Sequence, residues 1–161
     1  MILIALGANL PSRIGAPRET CIAALGALEQ KGIRVGSVSR WYESVPVPLS
    51  DQPLYVNGVA SVDTDLNPED LLSILLDIEK EFGRERSEQN AARTLDLDLL
   101  AYHESKRETA PVLPHPRLQD RAFVLLPLMD VAPGWKHPRT GDSLESMISA
   151  LDDPNSAISL S

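Results

Sequence analysis

With 161 residues, 43% of them hydrophobic and 24% charged, the chain has enough apolar material for one soluble domain with its own core. A net charge of −8 argues against nucleic acid as a partner, since a nucleic-acid surface would carry a basic stripe, but leaves room for anionic small ligands met by a local arginine cluster. Cys21 is the only cysteine, which rules out an intrachain disulfide and suits a reducing cytosol, and the apolar start Met1 to Leu6 is too short for a signal peptide or a membrane span.

The expectation is a cytoplasmic monomer, a single domain over residues 1–161. Ile2 to Leu6 reads as a short buried strand closed by Gly7, Asn9 and Pro11. Pro17 to Gln30 reads as a helix, with Ala24, Leu25 and Leu28 at helical spacing and Gly32 as its stop. Ile33 to Tyr42 alternates as one strand. Glu43 to Leu54, with Pro46, Pro48 and Pro53, reads as a stiff loop. Tyr55 to Val62 is a strand with Tyr55, Asn57, Val59 and Ser61 on one face.

The clearest helix follows. Asn67 suits the cap, Pro68 the first turn and Gly83 the stop, and Leu71, Leu72, Ile74, Leu75, Ile78 and Phe82 form its apolar stripe. Glu79 and Glu81 fall in the last turn, where the helix dipole disfavours anions. Either cations lie nearby or these are two surface glutamates. Arg84 to Ala92 has no apolar period and reads as a loop, poised as a lid. In Arg93-Thr94-Leu95-Asp96-Leu97-Asp98-Leu99-Leu100, leucines alternate with aspartates, so a strand there puts both carboxylates on one face, roughly 7 Å apart. Such a pair is either a solvated polar face or a seat for a hard divalent cation.

Strand, helix, strand, strand, helix, strand is the order of a ferredoxin-like α+β unit, an antiparallel sheet with helices packed on it. Beyond it, Val112 to Arg117 is proline-stiffened around His115, Arg121 to Val131 is a short helix interrupted by Pro127, and Ser143 caps a last helix through Leu151. These C-terminal additions should cover one side of the sheet and wall a cleft. The final residues, Asp152 to Ser161, read as a frayed polar tail.

No phosphate-binding glycine loop, zinc spacing or nucleophile triad is present. What remains is Asp96 and Asp98 with Arg84, Arg86 and Arg93 before them and His115, Arg117 and Arg121 after them. Carboxylate-held magnesium and arginines on phosphate oxygens are the usual equipment of phosphoryl transfer.

Ala5 to Leu10, Asp51 to Asn57, Gly83 to Arg86, Arg93 to Asp98, Pro114 to Pro116 and Arg121 to Leu125 together resemble the 6-hydroxymethyl-7,8-dihydropterin pyrophosphokinases of folate biosynthesis. The likeness runs to about Pro138. It implies ATP as substrate and two Mg²⁺ ions on Asp96 and Asp98. It further implies Arg84 and Arg93 on the transferring group, with Arg86, Arg93, Leu99, His115 and Arg121 toward the nucleotide. Tyr55 and Phe123 would sandwich the pterin, and Asn57, with main-chain groups near Ser44, Val45 and Pro46, would read its edge. The chain departs from some members at Gln89 to Ala92, where they carry a tryptophan. The rival expectation is a non-catalytic ferredoxin-like small-molecule-binding module, because fold alone does not fix function.

Overall fold

The structure is a computed structural model that describes residues 1–45, 51–83 and 94–160. The expectations placed on Pro46, Arg84, Arg86, Arg93 and the proposed lid from Arg84 to Ala92 lie outside the described residues. The elements in chain order are β1 (Ile2–Ala8), α1 (Pro17–Gln30), β2 (Arg34–Val38), β3 (Tyr42–Ser44), β4 (Tyr55–Asp63), α2 (Pro68–Glu81), β5 (Asp96–Tyr102), a 3-10 turn (Leu118–Asp120), α3 (Ala122–Val131), α4 (Leu144–Ser149) and β6 (Ala157–Ser159). Among the described residues the strands form one sheet in the order β5-β1-β4-β3-β6, with β2 also paired to β4. Every pairing is antiparallel. This is the expected ferredoxin-like α+β arrangement with additions. No described helix is long and apolar enough to cross a membrane.

Both long helices form for the reasons read in the sequence. Asn67 Oδ1 accepts the Asp70 N–H at 2.8 Å, Pro68 opens α2, and Gly83 leaves it at φ +86°. Such a cap contributes about 1 kcal/mol. The stripe Leu71, Leu75 and Ile78 is fully buried.

Alternation along β1 divides two cores. Ile2, Ile4, Leu6 and Ala8 pack with α1 and α2, together with Leu28, Leu71, Leu75, Leu95, Leu97 and Leu99. Leu3 faces the other way, toward Val124, Leu125 and Leu128 of α3 and Leu144 and Met147 of α4. The additions therefore cover the second face of the sheet. Arg40 and the Tyr42 hydroxyl both donate to Asp130 on α3, at 3.1 and 2.8 Å, and so tie that helix to β3.

Three expectations need correction. The single strand over 33–42 is two strands. Trp41 turns into the core, where a Cβ on Gly58 would lie only 2.5 Å from its ring. Ser39 bonds both sides of Val59, its N–H to the carbonyl and its Oγ to the N–H, each at 2.9 Å. The chain then re-pairs as β3, so Glu43 and Ser44, expected to begin the loop, are strand. The tail does not fray as a whole: β6 pairs with β3, and Leu160 N–H bonds the Trp41 carbonyl at 2.9 Å. Finally, Glu79 is no surface residue. It is 2% exposed, and its Oε2 accepts the Leu97 N–H at 2.7 Å, satisfying a donor on the edge strand β5. Glu81 has a cationic neighbour, Lys31, at 2.9 Å.

Candidate active site

Register, more than any single motif, assembles the site. Asp96 pairs with Gly7 and Asp98 with Ala5 across β1, and these two pair in turn with Asn57 and Val59 of β4. Directly opposed residues share a face. Both aspartates, Gly7 and Asn57 therefore lie on the face that α3 only partly covers. Gly7 keeps the floor low between the carboxylates and the amide, and a Cβ there would sit 3.0 Å from Asn57 Nδ2.

A cleft of about 320 Å³ opens over this floor. Its lining includes Gly7, Ser44, Val45, Tyr55, Asn57, Asp96, Asp98, His115, Arg117, Arg121 and Phe123. The Ser44 hydroxyl donates to Asn57 Oδ1 at 2.7 Å, which leaves Nδ2 on the Gly7 side. Arg121 lies over the Phe123 ring, 5.4 Å from its centroid.

His115 reaches the cleft through a bulge. Leu3 pairs with Ala101 and Ile4 with Leu99, so Leu100 is the extra residue of β5. Its carbonyl accepts the His115 N–H at 2.8 Å. The ring Nδ1 accepts the Arg117 N–H at 3.2 Å, which leaves any ring proton on Nε2. Burial, reinforced by Arg121 and only partly opposed by Asp96, lowers the His115 pKa to about 4. The ring is therefore neutral near pH 7 and acts as an N–H donor.

Of the residues expected at the site, Ser44, Val45, Tyr55, Asn57, Asp96, Asp98, His115, Arg121 and Phe123 come together in this one cleft. Leu99 does not. Its side chain is buried in the core under α1 and α2, on the opposite face of the sheet from the aspartates. Gly7, read in the sequence only as closing the first strand, and Arg117, read only as one of the arginines around the aspartates, also line the cleft. A glycine inside an otherwise apolar strand was the available signal for Gly7.

The donor set suits a hard cation. Among the described residues no group of three or more His, Cys, Asp or Glu forms a closed metal cage. Two carboxylates facing an open cleft match magnesium, which takes one or two carboxylates and completes its shell with phosphate oxygens and water.

The family model described as 7,8-dihydro-6-hydroxymethylpterin-pyrophosphokinase, HPPK, matches residues 3–133. The chain belongs to this family. It is 44% identical over 151 residues to the 2-amino-4-hydroxy-6-hydroxymethyldihydropteridine pyrophosphokinase of Pseudomonas aeruginosa, a match covering 92% of this chain and 90% of that protein. The enzyme of the same name from Synechocystis is 39% identical over 155 residues, covering 93% of this chain and 75% of the relative. Some HPPK relatives are much longer. The folic acid synthesis protein fol1 of Pneumocystis carinii is 39% identical over 153 residues, which make up 94% of this chain but only 20% of the fungal protein. Wild-type Plasmodium falciparum HPPK-DHPS with pteroate has a TM-score of 0.68 to this chain at 13% identity, covering 92% of this chain and 43% of the other. At that identity the likeness speaks for the HPPK fold alone.

Proposed function

We propose that this chain transfers pyrophosphate from ATP to 6-hydroxymethyl-7,8-dihydropterin, releasing AMP and the pterin diphosphate, as a cytoplasmic monomer in folate biosynthesis. The observation that carries the reading is the shared face: two carboxylates, a reading amide and two aromatics line one cleft in a chain of the HPPK family.

Tyr55 and Phe123 hold the flat ring by stacking, and Asn57 Nδ2 donates to an acceptor on its edge. Main-chain groups near Ser44, Val45 and Pro46 complete that edge. Asp96 and Asp98 hold Mg²⁺, for which two ions are proposed. When bound, these ions neutralise the phosphates and steady the attacking and leaving oxygens. Arg84 and Arg93 hold the β- and γ-phosphates together. Arg86, His115 and Arg121 contact the nucleotide, His115 as a neutral Nε2–H donor to phosphate oxygen. The hydroxymethyl oxygen forms a bond to the β-phosphorus, the bond from that phosphorus to the α–β bridging oxygen breaks, and AMP leaves with the electron pair. The hydroxyl proton passes to solvent, because a ring with a pKa near 4 is a poor base at neutral pH.

Calorimetry with a non-hydrolysable ATP analogue tests this reading. Binding should require Mg²⁺, and 6-hydroxymethyl-7,8-dihydropterin should then bind the loaded protein. Metal-independent nucleotide binding, or no pterin binding, would count against it. No observation favours the non-catalytic module.

A further inference from the structure

The last described strand stands directly behind the reading amide. Asn57 Oδ1 is held by the Ser44 hydroxyl, and Ser44 lies on β3, a strand of only three residues. On one side β3 pairs with β4, Ser44 opposite Tyr55. On the other it pairs with β6, Ser44 opposite Ala157, Glu43 opposite Ile158 and Tyr42 opposite Ser159. The Leu160 N–H extends this grip to the Trp41 carbonyl. Ala157 is 4% exposed and packs in a cluster with Tyr42 and Ala122, against which Phe123 also rests. One short strand therefore backs both the serine that orients Asn57 and the helix start that carries Phe123.

An asparagine amide rotated by half a turn offers an acceptor where it had offered a donor. The Ser44 hydroxyl, which donates to Oδ1 at 2.7 Å, holds the amide in place with Nδ2 on the cleft side over Gly7. Without β6, β3 would be held by β4 along one edge and by the Tyr42 hydroxyl on Asp130 at its first residue, which leaves Ser44, at its other end, the least restrained.

We propose that β6 is a positioning element of the pterin pocket: it clamps β3 so that Ser44 holds the Asn57 amide in place at the pterin edge, and it acts on pterin affinity without touching the nucleotide. The inference rests on the reading of Asn57 as the pterin-edge donor.

The test compares the full chain with a chain ended after Ser156, and with Ser44→Ala and Ser44→Thr. Kd is measured for the non-hydrolysable ATP analogue with Mg²⁺, and then for 6-hydroxymethyl-7,8-dihydropterin on the loaded protein. The pterin Kd should rise about tenfold or more in the shortened chain and in Ser44→Ala, while the nucleotide Kd changes less than about threefold. Ser44→Thr, which keeps the hydroxyl, should restore most of the pterin affinity. An unchanged pterin Kd in the shortened chain overturns the proposal, as does a parallel loss of both ligands. If the shortened chain does not fold, the serine pair decides: equal affinity in Ser44→Ala and Ser44→Thr overturns it. Failure of the full chain to bind pterin at all overturns the reading beneath it, and is seen before any variant is made.

Discussion

Gly7→Ala separates binding from folding. The added methyl would lie 3.0 Å from Asn57 Nδ2, about 0.5 Å inside an ordinary contact. Gly7 is not among the residues with positive φ, so alanine brings no backbone strain, and replacing a strand glycine gains roughly 0.5–1 kcal/mol. In the free protein the amide can yield to the methyl by giving up its Ser44 bond, a cost of about 1 kcal/mol that the gain from replacing glycine offsets. With pterin bound it must stay, pressed between the new methyl and the Ser44 hydroxyl. Crowding of this kind costs about 1–3 kcal/mol, and a central value near 2 kcal/mol corresponds to a loss of about thirtyfold in pterin affinity. Calorimetry on the Mg²⁺- and nucleotide-loaded protein reads the affinity, and a thermal scan reads stability. The expected result is a weakened pterin Kd with Tm unchanged within about 3 °C. Unchanged pterin affinity would refute the floor assignment, and so would a large drop in Tm accompanied by loss of nucleotide binding.

Other outcomes follow from the same geometry. Asp96→Ala and Asp98→Ala should each cut turnover by roughly a hundredfold or more with Tm preserved, since both carboxylates face the cleft and their loss opens no core cavity; near-normal activity would sink the metal assignment. Gly58→Ala should do the reverse, lowering Tm by roughly 4–8 °C for about 2 kcal/mol of overpacking against Trp41, as a denaturation scan would show. The His115 ring should titrate by NMR near pH 4 in the free protein. Its folded pKa lies below the unfolded value of about 6.5, so the stability it contributes is present above that pH and is lost as pH falls toward 4; a midpoint near 6.5 would contradict the buried, arginine-flanked setting. Cys21 is fully buried, and burial with a smaller contribution from Asp96 pushes its thiol up to about 12, so a thiol reagent at pH 8 should label it only as fast as the protein opens.

Much of this architecture was legible because the signals were local. Asn67, Pro68 and Gly83 bound α2, and the leucine–aspartate alternation of β5 places both carboxylates together. The failures have non-local causes. The stretch from Ile33 to Tyr42 alternates like one strand, and only the packing of Trp41 on Gly58, a residue seventeen positions away, shows why it breaks. β6 is three residues in a polar tail and exists because β3 has an open edge to pair with. Glu79 falls on the apolar face of α2, at helical spacing from Leu75 and Phe82, but nothing local shows the strand N–H it serves on β5. The nine lining residues anticipated at the cleft came from motif resemblance and register acting together, while Gly7 and Arg117 became legible as its floor and rim only once β1 and the His115 turn were placed.

The most direct test of the central claim is separation of the nucleotides after incubating the protein with Mg²⁺, ATP and 6-hydroxymethyl-7,8-dihydropterin. AMP should appear in step with pterin consumption and be absent when pterin or Mg²⁺ is left out. Accumulation of ADP would mean that the terminal phosphoryl group moves instead, and formation of neither product would contradict catalysis by this cleft.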